Sequence, residues 1–259
     1  LIGWVHPQGG KKKNGIWVDK GTTNYAVNFG IQWNEFSLTQ FDTFTKYTNT
    51  QDRLYNSSKW EKNNLKGAMV LELGSGAGRF TEKLLETGAH VVTVEMSSAI
   101  RVNFKNNKSN NVIFINASIF DLNFLKVKFD YVLCYGVAQH THDPDTVYKI
   151  CTSFLKKGGK LSIDHYLKLY HPSPFYHSKY LWSPLITRLN PNFLLKIIRF
   201  YISVYLPLDI LIVKLLPKKL SHIIQGLIPI PCWNYFGVKN IPQNYKNLKE
   251  WAIMDTFNA

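Results

Sequence analysis

Between residues 66 and 165, short β-branched runs alternate with amphipathic stretches without interruption. The segment from Val70 reads as a buried strand that ends at a cluster of glycines. The next stretch places Phe80, Leu84 and Leu85 on one helical face and is closed by Gly88. Further strands are predicted at His90 to Glu95, Asn111 to Ile115, Phe129 to Cys134 and Lys160 to Asp164. Ser97 or Ser98 can cap the helix after the second strand. Asp143 as cap and Pro144 at the first helical position open another helix. That helix carries Val147, Ile150, Cys151, Phe154 and Leu155 on one face and is expected to stop at Gly158-Gly159. Such alternation predicts an α/β domain with a doubly wound, mostly parallel sheet. Five main strands are expected, with one edge unpaired.

The flanks follow a different rhythm. Residues 1–65 form an N-terminal segment whose stretch from Tyr25 to Phe44 is rich in aromatics and precedes a predicted helix at Asp52 to Glu61. In residues 166–259 Pro172, Pro174, Pro184, Pro191 and Pro207 punctuate helical pieces, which predicts a helical cap or insertion. Phe193 to Leu216 is strongly apolar, but Lys196, Arg199, Asp209 and Lys214, with Pro207, leave no clean run of eighteen apolar residues. The segment is therefore read as amphipathic, with Leu194, Leu195, Ile198, Ile202 and Leu206 buried on the protein or at a membrane interface. Asn240 to Ala259 reads as a final helix containing Leu248, Trp251 and Ala252.

Composition narrows the class. In 259 residues, 45% hydrophobic and 14% aromatic content indicates a folded chain with a sizeable core. The net charge of +14 suits nucleic acid, an anionic membrane surface or a phosphorylated ligand. The lysines are scattered apart from Lys11-Lys12-Lys13, and no aromatic RNA-binding signature accompanies them, so nucleic acid is disfavoured. Cys134, Cys151 and Cys232 are too few and too widely spaced for a zinc site or a disulfide framework, and no metal is expected. A reducing, cytoplasmic setting fits this usage, with peripheral contact at the inner membrane face through 193–216 as the further expectation. The opening residues lack the basic and apolar regions of a secretory signal.

The chemistry concentrates at Glu72-Leu73-Gly74-Ser75-Gly76-Ala77-Gly78-Arg79. Gly74 can make the tight strand-to-helix turn, Gly76 permits close approach to a ligand and Gly78 allows helix and strand to pack closely. Glu72 is expected near the pocket mouth. A dinucleotide fingerprint would require glycine or alanine where Arg79 stands, so NAD is disfavoured. Glu95, at the tip of the adjacent strand, is placed to accept both hydroxyls of a ribose.

The acid two residues ahead of three alternating glycines resembles the first motif of class I S-adenosylmethionine-dependent methyltransferases. The block Gln139-His140, Asp143-Pro144, helix, then Leu155 to Gly159 is similar to that family's later segment, with Lys157 in place of its proline. The resemblance implies a Rossmann-like core at 66–165, a helical lid before it and a helical elaboration after it. S-adenosylmethionine is the implied cofactor, and Glu72, Gly74, Ser75, Gly76, Gly78, Glu95, Met96, Ala117, Ser118, Ile119, Tyr135, Gly136 and Gln139 are the implied cofactor residues. Ser118 stands where the family usually has an Asp for the adenine amino group, so adenine binding should lean on backbone groups and on packing against Ile119 or Phe120.

His140 is the first candidate for a general base, ahead of His142, Asp143 and His165. The Phe29-Gly30-x-Gln32-Trp33-Asn34-x-Phe36 pattern resembles a bacterial subgroup met near polysaccharide or lipid modification. In relatives the Glu250-Trp251-Ala252 segment is followed by many more residues, so C-terminal truncation is expected. The implied acceptor is a small molecule, glycan or lipid precursor. The alternatives are a nucleic-acid methyltransferase, whose Asn/Asp-Pro-Pro-Tyr motif is missing at Tyr135 to Ala138, and a non-catalytic cofactor-binding module.

Overall fold

The β-branched runs of the middle segment pair into one sheet in a computed structural model that describes residues 11–18, 27–165, 188–227 and 245–258. The strands are β1 (Lys11–Lys13), β2 (Ile16–Val18), β3 (Met69–Leu73), β4 (His90–Val94), β5 (Val112–Asn116), β6 (Phe129–Cys134) and β7 (Leu155–Ile163). Their order is β1-β2-β5-β4-β3-β6-β7, parallel throughout except for the β1–β2 pair. Five strands were expected, and the sheet has seven among the described residues. The two extra ones come from Lys-Lys-Lys-Asn-Gly-Ile-Trp-Val, within the segment read as a helical lid. Asn14 (φ 51°) and Gly15 (φ 85°) both adopt positive φ, as a two-residue hairpin turn with the strands' own twist requires.

The helices are α1 (Val27–Glu35), α2 (Asp42–Thr45), α3 (Asn49–Ser58), α4 (Arg79–Glu86), α5 (Ala99–Asn107), α6 (Pro144–Ser153), α7 (Pro191–Leu215), α8 (Lys218–Leu227) and α9 (Tyr245–Asn258). One face of the sheet packs Val70, Val91 and Leu133 against Leu54 of α3, Phe80 and Leu84 of α4 and Ile100 of α5. The other face packs Leu71, Val92, Ile115 and Val132 against Val147 and Cys151 of α6 and the 3-10 segment Ile119–Phe124. Three layers result, with both sheet faces covered as a parallel sheet requires.

Two boundaries differ from expectation. Helix α3 begins at Asn49 rather than Asp52, because the Asp42 carboxylate accepts the N–H groups of Thr50 and Gln51, both at 2.9 Å, and so opens the helix a turn early. Helix α6 ends at Ser153, so Phe154 and Leu155 lie outside it and Gly158-Gly159 fall within β7. There Leu155 pairs with Phe129 and Lys160 with Tyr131, a bulge in which Lys156 meets the Asp130 carboxylate at 2.9 Å.

The chain divides into two compact units, Leu1–Leu167 and Lys168–Ala259. In the second, α7 contains Pro207 without losing its helical course and packs Leu195, Ile198, Ile202 and Leu206 inward. Helix α9 buries Leu248, Ala252, Ile253 and Met254, and Arg199 of α7 meets Glu250 of α9 at 3.5 Å. No described helix is long and apolar enough to cross a membrane. Tyr25, Pro172, Pro174, Pro184, Cys232 and residues 240–244 lie outside the described residues.

Candidate cofactor and acceptor site

The strand order reverses at β3, with β4 and β5 to one side and β6 and β7 to the other. Ligands of doubly wound sheets bind at such a crevice, beyond the carboxyl ends of the strands. The glycine loop lies there. Gly74, Gly76 and Gly78 have φ values of 72°, 54° and 93°, a backbone that a chain bearing Cβ atoms resists. A Cβ on Gly74 would sit 2.3 Å from Val137 of the β6 loop, so the β3 and β6 loops meet at their tips.

Glu95, directly after β4, turns its carboxylate into this loop. Its Oε2 accepts the Gly76 N–H at 3.0 Å and its Oε1 the Ser97 N–H at 2.8 Å. Glu95 as a whole is 9% exposed. Asn116, at the end of β5, holds the neighbouring backbone by donating to the carbonyls of Glu95 (2.8 Å) and Met96 (3.0 Å).

Helix α5 fixes the loop from below. Asn103 donates to Ser75 Oγ and Thr81 Oγ1, both at 2.9 Å, and Asn107 donates to the Gly78 carbonyl at 2.8 Å and to Asn103 Oδ1 at 2.9 Å. Neither Asn103, Asn107 nor Asn116 stands out in the sequence. Three asparagines in polar-looking helix and strand ends carry no motif, and only the loop's need for partnered backbone groups could have pointed to them.

Glu72 requires a correction. It is not at the pocket mouth but 2% exposed beneath the loop, with its Oε2 accepting from Thr81 Oγ1 at 2.5 Å. Position 72 faces α4 rather than the crevice, and burial pushes its carboxyl up to about 7, against opposing hydrogen bonds from Thr81 and Thr93. The folded state therefore holds this proton more tightly than the unfolded chain. Stability from this group is fully present below about pH 4.5 and is lost as pH rises through 7. Glu72→Gln should be more thermostable than the parent at pH 8, by on the order of 2–3 kcal/mol, and the two should converge at pH 5. Parallel thermal melts at the two pH values check this.

The β6 loop supplies the opposite wall. Tyr135 is buried and its hydroxyl shares a 2.5 Å hydrogen bond with Ser162 of β7; burial raises the phenol above its ordinary range. Gly136 donates its N–H to Asp164 at 2.5 Å, and Asp164 also pairs with Arg53 of α3 at 2.6 Å. The Gln139 side-chain amide is buried, and neither its nitrogen nor its oxygen has a hydrogen-bond partner among the described residues. Such an orphaned amide is costly in a closed core and natural in a pocket built for a polar ligand.

His140 is half-buried, and that desolvation holds its imidazole below the usual histidine range. Its ring meets Phe29 of α1 edge-on at 5.2 Å. One turn later on α1, Trp33 lies over Gly76, with Nε1 3.1 Å from where a Cβ would stand. Asn34 ties the same helix to Ser98 Oγ at 2.8 Å. Helix α1 thus runs from the His140 loop to the glycine loop and on to the start of α5.

The other titratable candidates are engaged elsewhere. Asp143 caps α6, accepting from Thr146 N–H at 3.0 Å and its hydroxyl at 2.5 Å, which holds the carboxyl below its ordinary value. The His142 ring packs on Phe120 at 4.4 Å, and His165 is hydrogen-bonded to the Tyr148 hydroxyl at 2.8 Å. Ser118 caps the 3-10 segment by accepting from Phe120 N–H at 3.2 Å, between buried Ala117 and Ile119. No group of three or more metal-ligating side chains occurs among the described residues.

Residues 71–163 match the family model described as "Methyltransferase domain". Over 100 residues the chain is 35% identical to ubiquinone biosynthesis O-methyltransferase of Coxiella burnetii, covering 38% of this chain and 43% of that protein. Over 101 residues it is 28% identical to the enzyme of the same name from Xanthomonas euvesicatoria, covering 38% and 42%. The matched region thus spans less than half the length of these relatives. Among solved structures, the N-methyltransferase NodS of Bradyrhizobium japonicum, in complex with S-adenosyl-l-homocysteine, aligns at 22% identity with a TM-score of 0.40, over 44% of this chain and 59% of that one. The glycine loop at the switch point and the acid directly after the neighbouring strand thus both lie within the segment 71–163 that matches the methyltransferase-domain family model.

Proposed function

We propose that this protein transfers a methyl group from S-adenosylmethionine to a small-molecule acceptor, with a hydroxyl as the first acceptor group to test. The observation that carries the reading is the Glu95 carboxylate held against the Gly76 N–H at the strand switch point. Glu95 would bind the ribose hydroxyls of the cofactor. Gly74, Ser75, Gly76 and Gly78 would cradle its amino-acid portion. Met96, Ala117, Ser118 and Ile119 would bound the adenine, and the orphaned Gln139 amide, beside Tyr135 and Gly136, would meet its polar groups. The relatives, named as O-methyltransferases, support an oxygen acceptor, and a glycan or lipid precursor with a free hydroxyl is chemically equivalent.

Bound, the cofactor supplies a methyl carried on a sulfonium, already an activated leaving group, so positioning and exclusion of water become the protein's main contribution. Helix α1 would provide both, as a lid whose Phe29 and Trp33 cover the His140 and glycine loops. His140 would accept the acceptor's proton. Because burial lowers its basicity, the ring is neutral and able to accept a proton at pH 7 and stays so to more acidic values than an ordinary histidine.

Release of S-adenosylhomocysteine over a panel of phenolic, amine and sugar acceptors tests the reading. His140→Ala should lower turnover roughly 100-fold while leaving S-adenosylmethionine affinity within about twofold, and the acid limb of the parent's pH profile should lie below about pH 6.5. Unchanged turnover in His140→Ala would remove the base assignment. Cofactor binding with no turnover on any acceptor would favour a non-catalytic binding module.

A further inference from the structure

Helix α7 is apolar on two opposite sides. Its inward side holds Leu195, Ile198, Ile202 and Leu206. Its outward side carries Phe193, Ile197, Phe200, Val204, Leu208, Leu211 and Leu215, which are 42% to 74% exposed. Seven large apolar side chains at steps of three and four residues make one continuous stripe along the helix, and Leu220 and Ile223 of α8 are exposed as well. Scattered exposed leucines are ordinary, but a contiguous stripe of this length marks a surface that meets something apolar. Lys196 and Lys214, both exposed, stand five helical turns apart on the same flank of the stripe.

We propose that this stripe seats α7 in the interface of an anionic phospholipid bilayer, with Lys196 and Lys214 reaching the headgroups. Two observations select a lipid surface over a protein partner. First, residues 168–259 contain 11 Lys or Arg against 3 Asp or Glu, so the unit that bears the stripe also bears an excess of positive charge complementary to anionic lipid. Second, the stripe advances 22 residues in six steps, close to the period of a straight α-helix, so it stays on one side and presents a line to a plane. A second helix wrapping as a left-handed coiled coil would require the shorter heptad period. The helix lies in the interface without spanning it, in keeping with the charges that interrupt its apolar run. Such docking would bring the methyltransferase to acceptors that partition into membranes, and in that respect it rests on the proposed activity.

Co-sedimentation of the full chain with vesicles tests this, using phosphatidylcholine alone and an equal mixture of phosphatidylcholine and phosphatidylglycerol. The protein should partition onto the mixed vesicles and much less onto neutral ones. Phe200→Ser with Leu208→Ser should weaken partitioning more than about tenfold. Lys196→Gln with Lys214→Gln should weaken it roughly tenfold, and added salt should reproduce the effect. All four positions are exposed, and unchanged circular dichroism and S-adenosylmethionine binding would verify folding. Absence of vesicle binding by the parent overturns the proposal, as does a parent dimer in equilibrium sedimentation that Phe200→Ser with Leu208→Ser dissolves. Calorimetry with S-adenosylmethionine on the same samples separates this failure from failure of the proposed activity, because cofactor binding depends on the other unit.

Discussion

Replacing Glu95 by alanine should weaken S-adenosylmethionine binding roughly 100-fold without unfolding the protein. The side chain stands directly after β4 and reaches across to the loop after β3. It is nearly buried, and already aligned by the Gly76 and Ser97 amides and by the Asn116 brace on its own backbone. A ligand diol would exchange one set of donors for another at an acceptor whose desolvation has already been met by folding. The variant loses the acceptor, which falls on the bound state, and leaves the Gly76 and Ser97 amides without this partner in the free protein, which falls on stability. Calorimetric titration of parent and Glu95→Ala provides the measurement. Glu95→Gln, which keeps the shape but offers a neutral acceptor, should fall between them.

Gly78→Ala should be the most destabilising single methyl added to the described loop. Its φ of 93° is strained for any residue with a side chain, and the added carbon would lie 2.1 Å from Asn103 Oδ1 and 2.4 Å from Asn107 Nδ2. Those atoms belong to the network that partners Ser75, Thr81 and the Gly78 carbonyl, so relief of the clash breaks hydrogen bonds that are themselves buried. A loss of about 3 kcal/mol is expected, seen as a fall in Tm of roughly 6–12 °C. Gly88→Ala offers a control. Its φ is also positive, at 81°, but a Cβ would meet nothing closer than a lysine methylene at 3.6 Å. Strain alone should therefore cost it about 1 kcal/mol. If the two variants melt together, the asparagine network is not what makes position 78 demanding.

The sequence was most readable where backbone conformation and local periodicity agree. The alternating glycines, the acid at the tip of β4 and the Asp143-Pro144 helix entry are local devices, and each occupies the place its spacing implies. Legibility failed where a distant partner decided the outcome. Asp42 moved the start of α3 from eight residues away, and the β6–β7 register absorbed a glycine pair that reads as a helix stop. Glu72 departs from its expected place because two acids near one loop look equivalent in sequence, and only their partners in the fold separate a carboxyl bonded to Thr81 beneath the loop from one that accepts the loop's own amide. The Asn14-Gly15 hairpin lies outside the strand and helix alternation, directly behind three consecutive lysines that read as charge rather than as a strand. In α7 the apolar positions named from the sequence were mostly the buried ones, while the exposed stripe required knowing which face the helix turns inward.

The most direct test of the site is a calorimetric titration of the folded chain with S-adenosylmethionine and, in parallel, with NAD. The glycine loop with Arg79 in place of the third dinucleotide residue, and Glu95 beside it, predicts saturable one-to-one binding of S-adenosylmethionine and none of NAD. Binding of NAD in preference, or no binding of S-adenosylmethionine by protein that melts cooperatively, would contradict the assignment of this crevice.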